Sequence, residues 1–468
     1  MVARRVVSVD AEGDAQFDRA FEFLKTRVDL KQANERHPVR DNAVYTTAVV
    51  LWMLVYQRMN PDKSLEAAVK KLIDSKPDFL PDNKRVTEGT LSTNTSTYSQ
   101  ARSRMPPKAA EWFAQQVSQS LIDATRPTLG EQRVFTMDGT TITLAPELEL
   151  QKEFPPASNQ YGEGVWPVAL LTVCHELSSG AALIPEVGAM YGPNAVSETS
   201  LIGRNLQRLP PGSVLLGDSG FGIFSVAHLI ASAGHAFVLR MTEQRFGSVT
   251  KKAELVESRD HHRVWAHEWR PSAKERKIHP DLPKDGVLKV RLHEIVVNEH
   301  LTLLLVTDLP DPSAVLADLY KRRGDVEIDI RNLKVILNTE DIRARSVDTF
   351  FKELLASIVS YNLVTQFRCQ AAELIQQPPR RMSFKRTWTT FNQFLLSAMF
   401  TDAAQWSEKY RTALSYATLD KLPNRPGRRF EREAYPQRPK SNQFKKNEIQ
   451  SHLTDKSKPS AIRLTPGG

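Results

Sequence analysis

Between residues 131 and 241 the chain alternates short apolar runs with helical stretches, and that alternation constrains the fold more than any other feature. Arg133–Asp138 and Thr140–Leu144 are strand-like runs, Val165–His175 is a buried-strand run and Ala182–Val187 is another. Asn194–Leu209 has helical periodicity, Val214–Gly217 is a short apolar strand, Ile223–Ala233 is helical, and His235–Met241 closes as a strand. Side chains repeat every second residue on a strand and about every 3.6 residues on a helix, so the two textures are distinguishable. The order β-β-β-α-β-α-β calls for a mixed sheet with covering helices, an α/β (mixed α+β) core.

The flanks have a different texture. Residues 1–125 read as a helical region: Ala15–Arg27, Val44–Arg58 and Ser64–Leu72 have helix-like apolar spacing, with Ser64 as a cap. Gln100, Arg102 and Arg104 lie on a short predicted helix before the Pro106-Pro107 break. It can enter DNA or be an ordinary surface helix, and the sequence leaves both open. The core is expected over 126–340, with a β-rich insertion at about 242–306 that holds Val264–Trp269, Val287–Val297 and Leu301–Thr307. A second helical region is expected over 341–423, broken at Pro378-Pro379.

At 468 residues the chain is too long for one simple core. No stretch approaches 18 consecutive apolar residues, which excludes a membrane-spanning helix. Cys174 and Cys369 are the only cysteines, too few for a disulfide scaffold or a cysteine-rich zinc site. The net charge of +9 is concentrated at the end of the chain. Asn424–Gly468 holds eleven Lys or Arg against four Asp or Glu, a basic, Pro-rich tail expected to be poorly ordered and attracted to phosphate.

Three carboxylates stand out from this background. Asp138-Gly139 and Asp218-Ser219-Gly220-Phe221 each place an aspartate where an apolar run is expected to end at a glycine turn. Glu327 lies in the run Tyr320-x2-Arg323-x3-Glu327-x6-Lys334. On an ideal helix those four polar side chains fall within an arc of roughly 60°. Leu319, Val326, Ile330, Leu333 and Leu337 form a neighbouring stripe that can be buried. Any one of these patterns is commonly a turn or a solvated helix face. Together, two strand ends and a helix can supply the oxygen ligands that Mg2+ takes, usually a few carboxylates plus substrate phosphate. The Gly-Asp-Ser-Gly sequence at 217–220 does not meet the Gly-x-Ser-x-Gly elbow of a serine hydrolase. The histidines of the insertion lack the ligand spacing of a zinc site.

With these motifs in order, the chain resembles the DDE-class bacterial insertion-sequence transposases of the IS-four family, whose C-terminal motif is Tyr-x2-Arg-x3-Glu-x6-Lys. Tyr320, Arg323, Glu327 and Lys334 match every position and gap, and both aspartate motifs match as well. The resemblance covers about residues 95–425. It implies an RNase H-like catalytic core in which Asp138, Asp218 and Glu327 bind two Mg2+ or Mn2+ ions. It also implies that Tyr320, Arg323 and Lys334 hold the DNA backbone near the cleaved end. The implied partners are double-stranded transposon inverted-repeat ends and target DNA, engaged by a homodimer in the cytoplasm at the nucleoid. Some relatives stack a flipped base on a tryptophan of the insertion. Here the position just before Leu301–Thr307 is His300, and Trp265 and Trp269 are expected to be packing residues.

The leading expectation is a metal-dependent enzyme that nicks transposon ends and transfers strands. Its rivals are a catalytically silent DNA-binding regulator of transposase descent and an RNase H-like nuclease that cuts without joining.

Overall fold

The computed structural model describes residues 29–75, 80–159, 162–336, 342–398 and 403–423. The expected helix Ala15–Arg27, Leu337 and the basic tail from Asn424 lie outside the described residues.

Ten strands form one mixed sheet: β1 Val134–Thr143, β2 Pro156–Asn159, β3 Gly162–Glu176, β4 Glu186–Ala189, β5 Val214–Gly217, β6 Ala236–Arg240, β7 Glu254–Arg259, β8 His262–Trp269, β9 Leu288–Asn298 and β10 Leu301–Thr307. Their order is β2-β3-β1-β5-β6-β10-β9-β8-β7, with β4 pairing β3. β1 runs antiparallel to β3 and β3 to β4, while β1 is parallel to β5 and β5 to β6. This antiparallel-then-parallel arrangement about β1 is an RNase H-like core, the mixed α/β fold class that the sequence pattern calls for.

The short parallel strands read as continuous apolar runs because both of their faces are covered. On β5, Val214 and Leu216 pack with Val238, Leu305, Leu316 and Leu319 on one face. Leu215 packs with Phe135, Met137, Phe237, Ile202 and Phe224 on the other.

Several local expectations are corrected. The two runs predicted within Arg133–Leu144 are one strand, Val134–Thr143, because β1 pairs with β3 without interruption from Phe135 to Thr143. Of the predicted strand Ala182–Val187, the β4 strand keeps only its last two residues, and Ala182 makes an isolated bridge to His175. The predicted helix Asn194–Leu209 is a 3-10 turn, Glu198–Leu201, followed by the short helix Ile202–Leu206. The region 242–306 supplies β7 to β10 but also the helices Glu243–Thr250 and Ala273–Ile278. Through the β6–β10 pairing it extends the core sheet rather than standing apart. Trp269 packs edge-on against Phe224, and Trp265 edge-on against Phe246, so both are packing residues. His300 lies exposed at the tip of the β9–β10 hairpin.

The helices before and after the sheet share a core. Thr47–Met59, Ser96–Arg104 and Pro107–Asp123 pack against the long helix Val347–Leu374. Ser64 caps its helix as expected, its Oγ accepting from Ala67 N at 3.0 Å. Lys352 is fully buried in the long helix and donates to the carbonyls of Arg102 and Ser103 at 2.9 and 3.0 Å. A cation is thereby set on the C-terminal carbonyls of Ser96–Arg104, where the helix dipole favours it.

Candidate active site

The two aspartates are brought level by strand register. β1 and β5 pair Val134 with Val214, Phe135 with Leu215 and Thr136 with Leu216, a constant offset that also relates Asp138 to Asp218. β5 ends at Gly217, and Asp218 begins a turn in which its Oδ1 accepts from Gly220 N at 2.8 Å. Arg245 steadies that turn by donating to Ser219 O at 2.7 Å. A side chain at Gly222 would put its Cβ 1.9 Å from the Arg240 carbonyl oxygen, so the chain can pass β6 there only as glycine.

The structure corrects the reading of Asp138-Gly139 as a turn. Asp138 pairs with Val173 and Gly139 with Thr172 inside β1. Gly139 instead makes room: a Cβ there would lie 2.0 Å from the Glu198 carboxyl carbon.

Glu327 comes from the helix Asp325–Arg331, which packs on β1 and β3. The sequence predicts one continuous helix through the whole motif. The structure breaks it into Ser313–Lys321, a 3-10 turn Arg322–Gly324, Asp325–Arg331 and a π-helical turn Asn332–Ile336. Gly324, a poor helix former, lies at the junction. The apolar stripe survives, with Leu319, Val326, Ile330 and Leu333 all buried.

The break gives the polar residues separate stations. Tyr320 is buried under the end of β5, where its hydroxyl donates to Gly217 O at 3.3 Å and burial pushes its pKa up to about 12. Arg323 spans two carboxylates: its Nη1 lies 3.0 Å from Glu327 Oε1, and its Nη2 lies 3.8 Å from Asp138 Oδ2. The Glu327 side chain is 65% exposed and that of Arg323 only 14%. Lys334 is half-buried in the π-helical turn.

On the opposite side of the same helix Asp329 is fully buried, its Oδ2 2.8 Å from Arg380 Nη1. Arg380 Nε also faces Asp325 Oδ2 at 3.3 Å and donates to Leu177 O, tying the helix to the end of β3. Asp325 and Asp329 are one turn apart and Glu327 lies between them in sequence, so holding the first two aims the third outward.

Burial raises the Asp138 carboxyl above its ordinary range, with Arg323 and the Gly139 amide opposing and Asp218 and Glu327 adding to the rise. Glu198 is raised by burial and by the charges of Asp138 and Asp218. The charges of Asp218 and Glu327 therefore reach Asp138, those of Asp138 and Asp218 reach Glu198, and one guanidinium stands between Asp138 and Glu327. Among the described residues no three His, Cys, Asp or Glu side chains enclose an ion as they stand. The donors are nonetheless all carboxylate oxygens, the set that hard divalent cations take, and Arg323 supplies positive charge at Asp138 and Glu327, where a cation would.

The sequence reading missed Glu198 and Arg380. Glu198 is signalled locally only as the first turn after Ser197, and its nearness to Asp138 is a tertiary fact. Arg380, directly after Pro378-Pro379, carries no signal at all.

Comparison with known proteins adds to this geometry. Residues 129–363 match the transposase DDE domain family. The chain is 22% identical over 412 residues to the transposase InsG for insertion sequence element IS4 of Escherichia coli (strain K12), covering 84% of this chain and 88% of that protein. A structure of the piggyBac transposase synaptic complex with hairpin DNA aligns over 88% of this chain and 86% of its own, at 9% identity and a TM-score of 0.39. The family match extends over half of the chain and takes in all three carboxylates of the motif, so this protein belongs to the DDE transposase family.

Proposed function

We propose that the chain nicks DNA at the ends of a mobile element and joins the freed 3′-hydroxyl to target DNA. In this reading Asp138, Asp218 and Glu327 hold two divalent ions, Mg2+ or Mn2+. Transposases of this family generally use divalent metal ions. Bound there, such ions activate an attacking oxygen and stabilise the leaving one. The observation that supports the reading best is the alignment of Asp138 and Asp218 by register, with Glu327 joined to Asp138 through Arg323.

The protein's own side chains then have distinct tasks. Asp138 is fixed by β1 and Asp218 by its turn, so neither must be ordered when DNA arrives. Tyr320 holds the end of β5 to the motif helix, an indirect contribution to the grip on DNA. Arg323 neutralises Asp138 and Glu327 in the free protein, and its fork-shaped guanidinium suits a phosphate of bound DNA. Lys334 is assigned a point-charge contact with the same backbone.

A second feature supports a DNA-end surface in the N-terminal region. A cavity of about 960 Å3 lies away from the carboxylates and is lined by Arg36, Arg40, Arg85 and Arg104. All four arginines are exposed, as phosphate binding needs. Arg102, two residues from Arg104, instead pairs with the buried Glu353 at 2.9 Å. The two neighbours are therefore expected to separate. Arg104→Ala will weaken DNA binding and reduce the slope of log K against log salt by about one. Arg102→Ala will leave that slope alone and lower the unfolding temperature instead. The proposal further includes a homodimer on paired ends, association with the nucleoid, and the division into 1–125, 126–340, 341–423 and 424–468.

Incubating the protein with its flanking terminal DNA and a target plasmid tests the function. Metal-dependent joined products support transposition. Cleavage without joining would leave the nuclease reading, and binding alone would leave the regulator.

A further inference from the structure

We propose that Glu198 is a fourth carboxylate of the active site, an oxygen donor to the divalent metal site of Asp138, Asp218 and Glu327. The proposal rests on the metal-site reading above. Glu198 opens the 3-10 turn Glu198–Leu201, and its backbone is fastened from two directions. Thr172 Oγ1 on β3 donates to Glu198 O at 3.3 Å, and Ser197 and Ser200 close a reciprocal capping box around the turn. The turn belongs to the connection between β4 and β5, so its attachment to β3 carries it back over the sheet.

That attachment sets the carboxylate directly over Gly139, where a Cβ would lie 2.0 Å from both its Cδ and its Oε1. Gly139 is next to Asp138 and, by the β1–β5 offset, level with the turn that Asp218 opens. β5 has left the sheet there, and Glu198 fills the space that a glycine in β1 leaves. The charges that act on its carboxylate are those of Asp138 and Asp218, and no described Lys, Arg or His pairs with it. Arg323 is committed to Asp138 and Glu327.

Glu198 is thus a half-buried carboxylate that its backbone holds over Gly139, next to Asp138 in β1, without the cationic partner such a group ordinarily takes. The same placement is favourable once a divalent ion is present, since Mg2+ and Mn2+ accept several carboxylate oxygens, directly or through bound water. The backbone ties around Glu198 keep that donor in place, whether or not an ion is bound.

The test uses the full chain and Mn2+ alone, with free Mn2+ followed by electron paramagnetic resonance. Four proteins are compared: the unaltered chain, Glu198→Gln, Asp138→Asn and, as an exposed control on β7, Glu254→Gln. Glu198→Gln is expected to weaken Mn2+ binding by at least about tenfold, while the control matches the unaltered chain. It should also unfold without metal at the same temperature as the unaltered chain or higher, and gain less from added Mn2+. Gly139→Ala provides a second variant, because its new Cβ meets only the far end of a flexible side chain and should displace the carboxylate without disturbing β1. Its Mn2+ affinity should fall in parallel.

Unchanged Mn2+ affinity in Glu198→Gln, with loss in Asp138→Asn, would overturn the proposal and leave the three-carboxylate reading standing. A lower metal-free unfolding temperature for Glu198→Gln would also overturn it, by making Glu198 a structural residue. Failure of the unaltered chain to bind Mn2+, or full binding by Asp138→Asn, would remove the site reading and this proposal together.

Discussion

Replacing Glu327 with alanine will lower the rate of nicking by at least about 10³-fold, which is about 4 kcal/mol of lost transition-state stabilisation. Asp138→Ala and Asp218→Ala will do the same. Each removes a carboxylate that the fold holds in place: Asp138 inside β1, Asp218 by its own turn, and Glu327 by a helix anchored on its far side. DNA binding will survive or tighten, because each substitution takes a negative charge from a surface that receives phosphate. Conversion of supercoiled to nicked plasmid, beside a gel-shift measurement on the same DNA, reads both quantities. Loss of binding in parallel with nicking would mean that these side chains hold DNA rather than metal.

Arg380→Met will lower the stability of the fold by about 3–5 kcal/mol, the usual cost of leaving one member of a buried ion pair alone. Asp329 is fully buried, and Arg380 is its closest cation. His175 Nδ1 lies 3.9 Å from the same carboxylate, but burial lowers the His175 pKa, so it cannot replace the lost charge. Pairing Arg380→Met with Asp329→Leu should recover most of the loss, since replacing both partners by apolar groups leaves no buried charge. Denaturant midpoints of the two single variants and the double variant measure this coupling. Because the pair sits behind Glu327, the single variant should also slow nicking, and the double variant should restore part of it.

The motif that carries Glu327 was legible in the sequence because its spacing is local: the positions from Tyr320 to Lys334 lie within a few turns of chain. The mixed sheet was legible for a similar reason, since buried parallel strands such as β5 are short apolar runs between turns. What the sequence could not show was how the pieces meet. An Asp-Gly pair reads as a turn, yet β3 pairs through it and makes it mid-strand. Helical spacing read Tyr320 as sharing a face with Arg323, Glu327 and Lys334, whereas the break at Gly324 and the end of β5 bury it. Arg102 and Arg104 looked equivalent until Glu353, some 250 residues later in the chain, took one of them into the core. Glu198 and Arg380 are contributed by distant segments and have no local pattern to announce them.

The claim that Asp138, Asp218 and Glu327 share one metal site is tested most directly by iron-directed backbone cleavage. Fe2+ is supplied to the full chain in place of Mg2+, and ascorbate then generates hydroxyl radicals that cut the polypeptide near the ion. The account predicts cuts clustered at three places, around Asp138, Asp218 and Glu327, all suppressed by excess Mg2+. Cuts near the two aspartates but none near Glu327, or cuts that Mg2+ does not suppress, would contradict it.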